Sequence, residues 1–181
     1  MSRITALERS AAAPAAQEML DAVHVAMGVT PNLMKTLAAS PAALQGYLDL
    51  NRTLAGGVLE PPLREQIAIA VAQANGCVYC LAAHHALGAL AGLTMDEMTQ
   101  SRSARSSDLR RSAALQFAAA VLADRGSVTD AALARVRAAG FGDGEILEIV
   151  AHVALNVLTN YVNNVAQTTV DFPPVAALAT A

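Results

Sequence analysis

Between Pro14 and Gln167 the apolar residues recur at steps of three and four, and the residues that interrupt the pattern are those that start and stop helices. Pro14 opens a run in which Met19, Leu20, Val23 and Met27 share a side until Gly28 ends it. Thr30–Pro31 and Ser40–Pro41 each set a capping residue before a proline, whose fixed φ and missing N–H suit the first helical position. The two helices so opened close by Gly56–Gly57. Pro61 and Pro62 start the next, with Leu63, Ile67, Ala70, Val71 and Ala74 on one side, and Asn75–Gly76 interrupts it. A helix from about Val78 to Leu90 follows, ended near Gly92, and Thr94 with Glu97 makes a capping-box signature for a short one. The polar stretch "SRSARSSD" reads as a surface loop before a helix over Leu109 to Ala123. Thr129 caps a helix to Ala139, and Asp143 caps the long last one. A period of two persists nowhere, so the fold class is all-α. The expectation is a single domain of about eight helices over residues 1–181, with a core motif at about 61–92, a closing helix at about 143–167 and a tail at 171–181.

A chain of 181 residues can bury a core without disulfides or metal to hold it, so its two cysteines are not needed as staples. The apolar fraction of 54% without Gly exceeds the roughly 45–50% of an average soluble domain with Gly included. Much of it is Ala, which packs closely and fills little volume, and the excess predicts burial between copies in a homo-oligomer. The net charge is −3 and no Lys/Arg cluster interleaves with aromatics, which excludes the usual nucleic-acid binder. The amino terminus "MSRITALERS" lacks a signal-peptide apolar run, and no segment is expected to approach the ~20 apolar residues of a membrane span. The expected compartment is the cytoplasm, where a cysteine pair points to catalysis or metal binding.

Both cysteines fall in "ANGCVYCLAAHH", residues 74–85, with two of the four histidines. Cys77, Cys80 and His84 stand at i, i+3 and i+7, within an arc of about 60° on one helix face. His85 lies off that stripe, and Tyr79 points nearly opposite. The break at Asn75–Gly76 puts the cysteines in the first turn of a helix, where unpaired N–H groups and the dipole favour a thiolate. That effect favours Cys77, whereas a histidine four residues on favours Cys80, and a specific base outweighs a dipole worth ~0.3–1 kcal/mol. A thiolate attacks peroxides or disulfides, and the second cysteine then stands ready to condense with the oxidised sulfur. Two blander readings compete. The cysteines can be small buried hydrophobes, or zinc ligands completed by His84 and a remote carboxylate, since no second C-x-x-C or H-x₃-H is present.

Glu65, twelve residues before Cys77 in an otherwise apolar helix, reads on spacing alone as a helix-end charge paired with Arg64 or solvent. On the last helix, His152, Asn156, Asn160 and Asn163 or Asn164 form a polar stripe, read either as a solvated face or as a hydrogen-bonded network at a subunit contact.

The stretch "REQIAIAVAQANGCVYCLAAHHALGALAGL" resembles the core motif of the alkylhydroperoxidase D and carboxymuconolactone decarboxylase superfamily: Glu, eleven residues, C-x-x-C, three residues, His. The tail "LNVLTNYVNNVAQTTVDFP" resembles the closing motif of its peroxidase-related branch, and the likeness runs from about Ala15 to Pro173. The resemblance implies an alkylhydroperoxidase D-like helical fold and an antioxidant thiol peroxidase without cofactor or bound metal. It implies Cys80 as the cysteine that attacks a hydroperoxide, Cys77 as the one that closes the disulfide, and His84 with Glu65 as the proton relay. It also implies a dithiol reductant, either a lipoylated or a thioredoxin-like protein. Where that family often has a histidine between the cysteines, this chain has Tyr79. Two other activities stay open: a lyase acting on a lactone acid, whose family members generally lack the cysteine pair, and a binding protein clipped by zinc.

Overall fold

Nine α-helices make up the regular structure among the described residues, beside a single 3-10 turn at Arg9–Ala11. The computed structural model describes residues 2–176 and 178, so part of the expected tail lies outside the described residues. In chain order the helices are α1 (Pro14–Met27), α2 (Asn32–Leu37), α3 (Pro41–Ala55), α4 (Pro61–Ala74), α5 (Val78–Leu90), α6 (Met95–Ser101), α7 (Leu109–Ala123), α8 (Asp130–Ala138) and α9 (Asp143–Ala166). The all-α class is as expected. Every helical run read from the sequence forms a helix, which gives nine where about eight were expected.

Most starts obey the local signals. Ser40 Oγ accepts from Ala43 N at 3.3 Å, Asp108 Oδ1 from Arg111 N at 2.9 Å and Thr129 Oγ1 from Ala132 N at 3.2 Å. Thr94 and Glu97 bond each other's backbone N–H groups, a complete capping box. Two starts differ. Pro31, not Thr30, is the N-cap of α2, and its first amide, Asn32 N, is satisfied from the far end of the chain by Asp171 Oδ2 at 2.7 Å. Gly142, not Asp143, caps α9: Glu145 Oε2 accepts from Gly142 N at 2.9 Å, and the Asp143 carboxylate turns to Arg137 Nη2 at 2.8 Å.

The apolar faces meet in two main clusters divided by α4. On one side Leu63, Ile67 and Val71 pack with Leu115 and Phe117 of α7, Val136 of α8, and Ile149 and Val153 of α9. On the other, Ala72 meets Leu20, Leu33 and Leu44 from α1, α2 and α3, together with Cys77, Tyr79 and Cys80 at the start of α5. The small side chains of α4 and α7, Ala68, Ala72, Ala114 and Ala118, are all buried and let the helices approach closely. So both sulfurs sit in an apolar core, where any group that stays charged needs a specific partner.

By length and composition α9 is apolar enough to cross a membrane, contrary to the expectation that no segment would be. Here it packs along α4, α7, α3 and α5, with His152, Asn156, Asn160 and Asn163 buried.

Glu148 of α9 pins the connection between α3 and α4. Its Oε2 accepts from Val58 N at 2.8 Å and from Leu59 N at 3.1 Å. With the carboxylate so placed, a Cβ at position 57 would come within 2.5 Å of Glu148 Oε2, and the Glu148 side chain must swing away to admit it. Gly57→Ala should therefore lower the unfolding free energy by about 1–3 kcal/mol through these bonds. Gly46→Ala, on the exposed side of α3 with nothing within 4 Å of the added carbon, should raise it by roughly 0.5–1 kcal/mol. Urea denaturation of the two variants checks both signs.

Candidate active site

The site is made where α4 ends. Asn75 closes the helix, and Gly76, at φ +61°, takes the left-handed conformation that turns the chain back. Cys77 N then donates to Ala72 O at 2.9 Å, and Cys77 itself becomes the N-cap of α5. Its Sγ accepts from Cys80 N at 3.2 Å, so the C-x-x-C spacing is the spacing of a helix cap. Both cysteines are free and buried, at 1% and 2% exposure.

Because α5 folds back along α4, His84 comes beside Glu65, and His84 Nδ1 lies 2.8 Å from Glu65 Oε2. In the neutral tautomer Nδ1–H donates to the carboxylate, which leaves Nε2 as the basic nitrogen. Glu65 is therefore no helix-end charge paired with Arg64. Arg64 instead donates Nη1–H to the carbonyls of Leu54 and Ala55.

From the opposite side α9 supplies amides. Asn163 Nδ2 donates to Cys80 Sγ at 3.2 Å, Asn75 Nδ2 donates to Asn160 Oδ1 at 2.9 Å, and Asn164 Nδ2 donates to Asn75 O at 3.0 Å. The polar stripe is thus neither a solvated face nor a subunit contact. Its buried members turn inward, because this face of α9 packs against α4 and α5 and these amides lie over the junction of the two. The sequence marked the stripe but not its partner, since nothing in the local pattern of α9 refers to a sulfur eighty residues away.

Cys80, Glu65 and His84 open on a cavity of about 420 Å³, walled elsewhere by mainly apolar side chains with Tyr47, His152 and Asn156 among them. Tyr79 does not point away from this space. Its hydroxyl accepts from Leu33 N at 3.0 Å, and its ring meets Phe172 edge-on with centroids 5.7 Å apart, so together they form a wall. Tyr47 escaped the sequence reading, because a tyrosine on an amphipathic helix carries no local signal. His85 is buried off the cavity and touches neither sulfur by a hydrogen bond.

Electrostatics separates the two thiols. The Cys77 thiol beside it does most to draw Cys80 down, against burial; the Asn163 amide, His84 and the Asn160 amide add to the effect, and the net value is about 6. Cys77 moves the other way, pushed far up by the neighbouring Cys80 sulfur and by burial. Burial alone would depress the His84 imidazole, but the Glu65 carboxylate and the Cys80 sulfur outweigh it and raise it above its ordinary value. Burial, with Cys80 and Glu65 nearby, pushes the Tyr47 phenol up to about 12, so it keeps its proton. Burial lowers His152, and Arg64 lowers it further. Among the described residues no three His, Cys, Asp or Glu side chains are grouped to hold a metal ion.

The all-helical scaffold is alkylhydroperoxidase D-like in fold, and it carries a buried dithiol beside a carboxylate–imidazole pair. The profile of the carboxymuconolactone decarboxylase family matches residues 41–121, which span α3 to α7. The structure is similar to that of an uncharacterised peroxidase-related protein with an alkylhydroperoxidase D core from Ralstonia eutropha JMP134. The two are 26% identical over 94% of this chain and 92% of that one, with a TM-score of 0.85. A peroxidase-related protein from Silicibacter sp. TM1040 is 25% identical over 91% of each chain, with a TM-score of 0.78. The debrominase Bmp8, in a C82A form bound to 2,3,4-tribromopyrrole, shares the fold at 19% identity over 94% of this chain and 92% of that one, with a TM-score of 0.79. No curated protein matches the sequence. The family match over α3 to α7 and the two peroxidase-related neighbours support a likeness to the alkylhydroperoxidase D and carboxymuconolactone decarboxylase superfamily, on the side of its peroxidase-related proteins.

The depressed Cys80 thiol gives the first chemical expectation. A pKa lowered below neutrality means that thiolate accumulates as pH rises through about 6, so iodoacetamide should label Cys80 half-maximally there and leave Cys77 unlabelled. His84→Gln removes a cation that favours the thiolate and should move the midpoint upward. Peptide mapping of the alkylated protein across pH 5–9 checks the order and the direction.

Proposed function

We propose that the protein is a thiol-dependent peroxidase that reduces hydroperoxides through Cys77 and Cys80. The observation that carries this reading is the placing of a low-pKa Cys80 beside a Glu65–His84 pair at the wall of a largely apolar cavity. The Cys80 thiolate attacks one peroxide oxygen; an S–O bond forms, the O–O bond breaks, and the alkoxide leaves. His84, as imidazolium, gives that alkoxide its proton, and Glu65 holds the ring through Nδ1. The peroxide is reduced by two electrons and Cys80 becomes a sulfenic acid. The Cys77 sulfur then attacks Cys80, the S–O bond breaks, water leaves and a disulfide remains. A dithiol donor, a lipoylated or thioredoxin-like protein, restores both thiols by exchange. A cytoplasmic setting suits this cycle, since the site must return to free thiols. The dithiol also disfavours the lactone-acid lyase, which has no use for it.

Cys80→Ser should abolish consumption of cumene hydroperoxide, and Cys77→Ser should leave a sulfenic acid on Cys80 that dimedone traps. Glu65→Gln and His84→Gln should each slow turnover by about 10²-fold or more. The double variant should be little worse than either single one, because both act on one proton path. Full multiplication of the two effects would show independent roles. Thiol oxidation by 2,3,4-tribromopyrrole with none by hydroperoxide would replace the peroxidase reading by the chemistry of the debrominase.

A homo-oligomer is part of the proposal. Leu147, Val150, Ala154, Leu158, Tyr161 and Val165 are all exposed on α9 and follow one another at steps of 3, 4, 4, 3 and 4, a single uncharged seam along most of the helix. A seam of that spacing suits helix-on-helix packing, and a two-fold axis lets the same stripe on a second copy cover it. Light scattering should give at least twice the chain mass, and Leu158→Glu with Tyr161→Glu should reduce it to one chain.

A further inference from the structure

Beside the Cys80 sulfur, two buried polar atoms have no hydrogen-bond partner: Asn160 Nδ2 and Asn163 Oδ1. The other ends of the same amides are engaged, Asn160 Oδ1 by Asn75 Nδ2 at 2.9 Å and Asn163 Nδ2 on Cys80 Sγ at 3.2 Å. Those bonds fix which way each amide faces, so the idle atoms are one donor and one acceptor, a turn apart on the same face of α9. Asn160 is fully buried and Asn163 is 3% exposed, so solvent does not satisfy them. A buried unmade hydrogen bond is costly, and native structures keep few of them. Asn163 Nδ2 reaches the Cys80 sulfur, and the Asn160 Nδ2–H faces the same sulfur, favouring its charge without closing a hydrogen bond to it.

We propose that Asn160 and Asn163 form a cradle for the oxygen atom that Cys80 carries midway through the cycle. The inference rests on the peroxidase reading. A sulfenic acid, Cys80–S–O–H, brings one donor and one acceptor that the resting thiolate lacks. Asn160 Nδ2–H donates to the sulfenic oxygen, and the sulfenic O–H donates to Asn163 Oδ1. No bond is lost in gaining these, because Asn75 still holds Asn160. The acceptor has a chemical consequence. The deprotonated sulfenate is the form whose sulfur attacks a second peroxide, breaking its O–O bond and releasing alkoxide, and a carbonyl that holds the proton keeps the group neutral. The neutral acid is also the form from which Cys77 displaces water, so the cradle steers Cys80 toward the disulfide and away from sulfinic acid.

The test uses full-length Cys77→Ser protein, in which the sulfenic acid has no resolving thiol. With cumene hydroperoxide, intact-mass spectrometry follows the ratio of sulfinic to dimedone-trapped sulfenic acid on Cys80. Adding Asn163→Leu, which removes the acceptor that holds the proton, should raise that ratio by about tenfold, and Asn160→Leu, which removes a donor that also favours the sulfenate anion, should lower it. A ratio that depends on the oxygenated state is not moved by a mere change in how fast the thiolate first reacts. Should either substitution unfold the protein, side-chain amide resonances decide in the parent Cys77→Ser protein: the Asn160 Nδ2 protons should move downfield on oxidation. Sulfenic acid that forms while the ratio and the Asn160 resonance stay unchanged overturns the cradle alone. No sulfenic acid at Cys80 overturns both the cradle and the peroxidase reading.

Discussion

The site depends on how the end of α4 is tied to α9. Asn75 caps α4, gives its side-chain amide to Asn160 and takes a bond from Asn164 on its own carbonyl, so one residue ends a helix and fixes its neighbour. From this anchor the chain reverses at Gly76, Cys77 becomes a helix cap and Cys80 rises one turn into α5, under Asn163. A slip of α9 by one turn would withdraw the amides from the sulfur. The bond from Glu148 to the α3–α4 connection holds α9 near its other end and resists that slip.

Burial gives this junction its chemical meaning. In an apolar core a thiol normally keeps its proton, and the two cysteines, both buried, would titrate alike without specific neighbours. What separates them is the direction of the donors. The Cys77 thiol and the Asn163 amide both favour charge on Cys80, and His84, held by Glu65, adds a positive group at the cavity wall. The Cys80 backbone N–H that donates to Cys77 pulls it down, but the Cys80 sulfur beside it and burial outweigh that bond and keep it protonated. The helix dipole, which by itself would favour the cap position, is overruled by these shorter contacts.

The cavity sets what can reach that sulfur. Its walls are mostly apolar, and Tyr79 with Phe172 closes one side, so the residue that stands between the cysteines serves the shape of the pocket. Phe172 arrives there because Asp171 satisfies the first amide of α2. The segment after α9 thus links the start of α2 to the cavity wall. The fold is shared with a debrominase as well as with peroxidase-related proteins, so pocket walls and not the helical frame must distinguish the substrates.

Much of this was legible from residues close in sequence. Prolines at helix starts, the Ser40, Thr94 and Thr129 caps and the three-four apolar steps define the helices locally, because capping and periodicity act within one or two turns. The grouping of Cys77, Cys80 and His84 on one face follows from the same period. Glu65 was placed beside His84 only by the resemblance, since spacing alone left it as a helix-end charge. The caps that were misplaced, Thr30 and Asp143, are those where a distant carboxylate, Asp171, or a competing ion pair with Arg137 took over. The inward turn of Asn160 and Asn163, the wall made by Tyr79 and the entry of Tyr47 into the cavity were decided by tertiary structure. Each depends on which helix lies across from it, and a helix's own sequence shows that a face is polar without showing what that face meets.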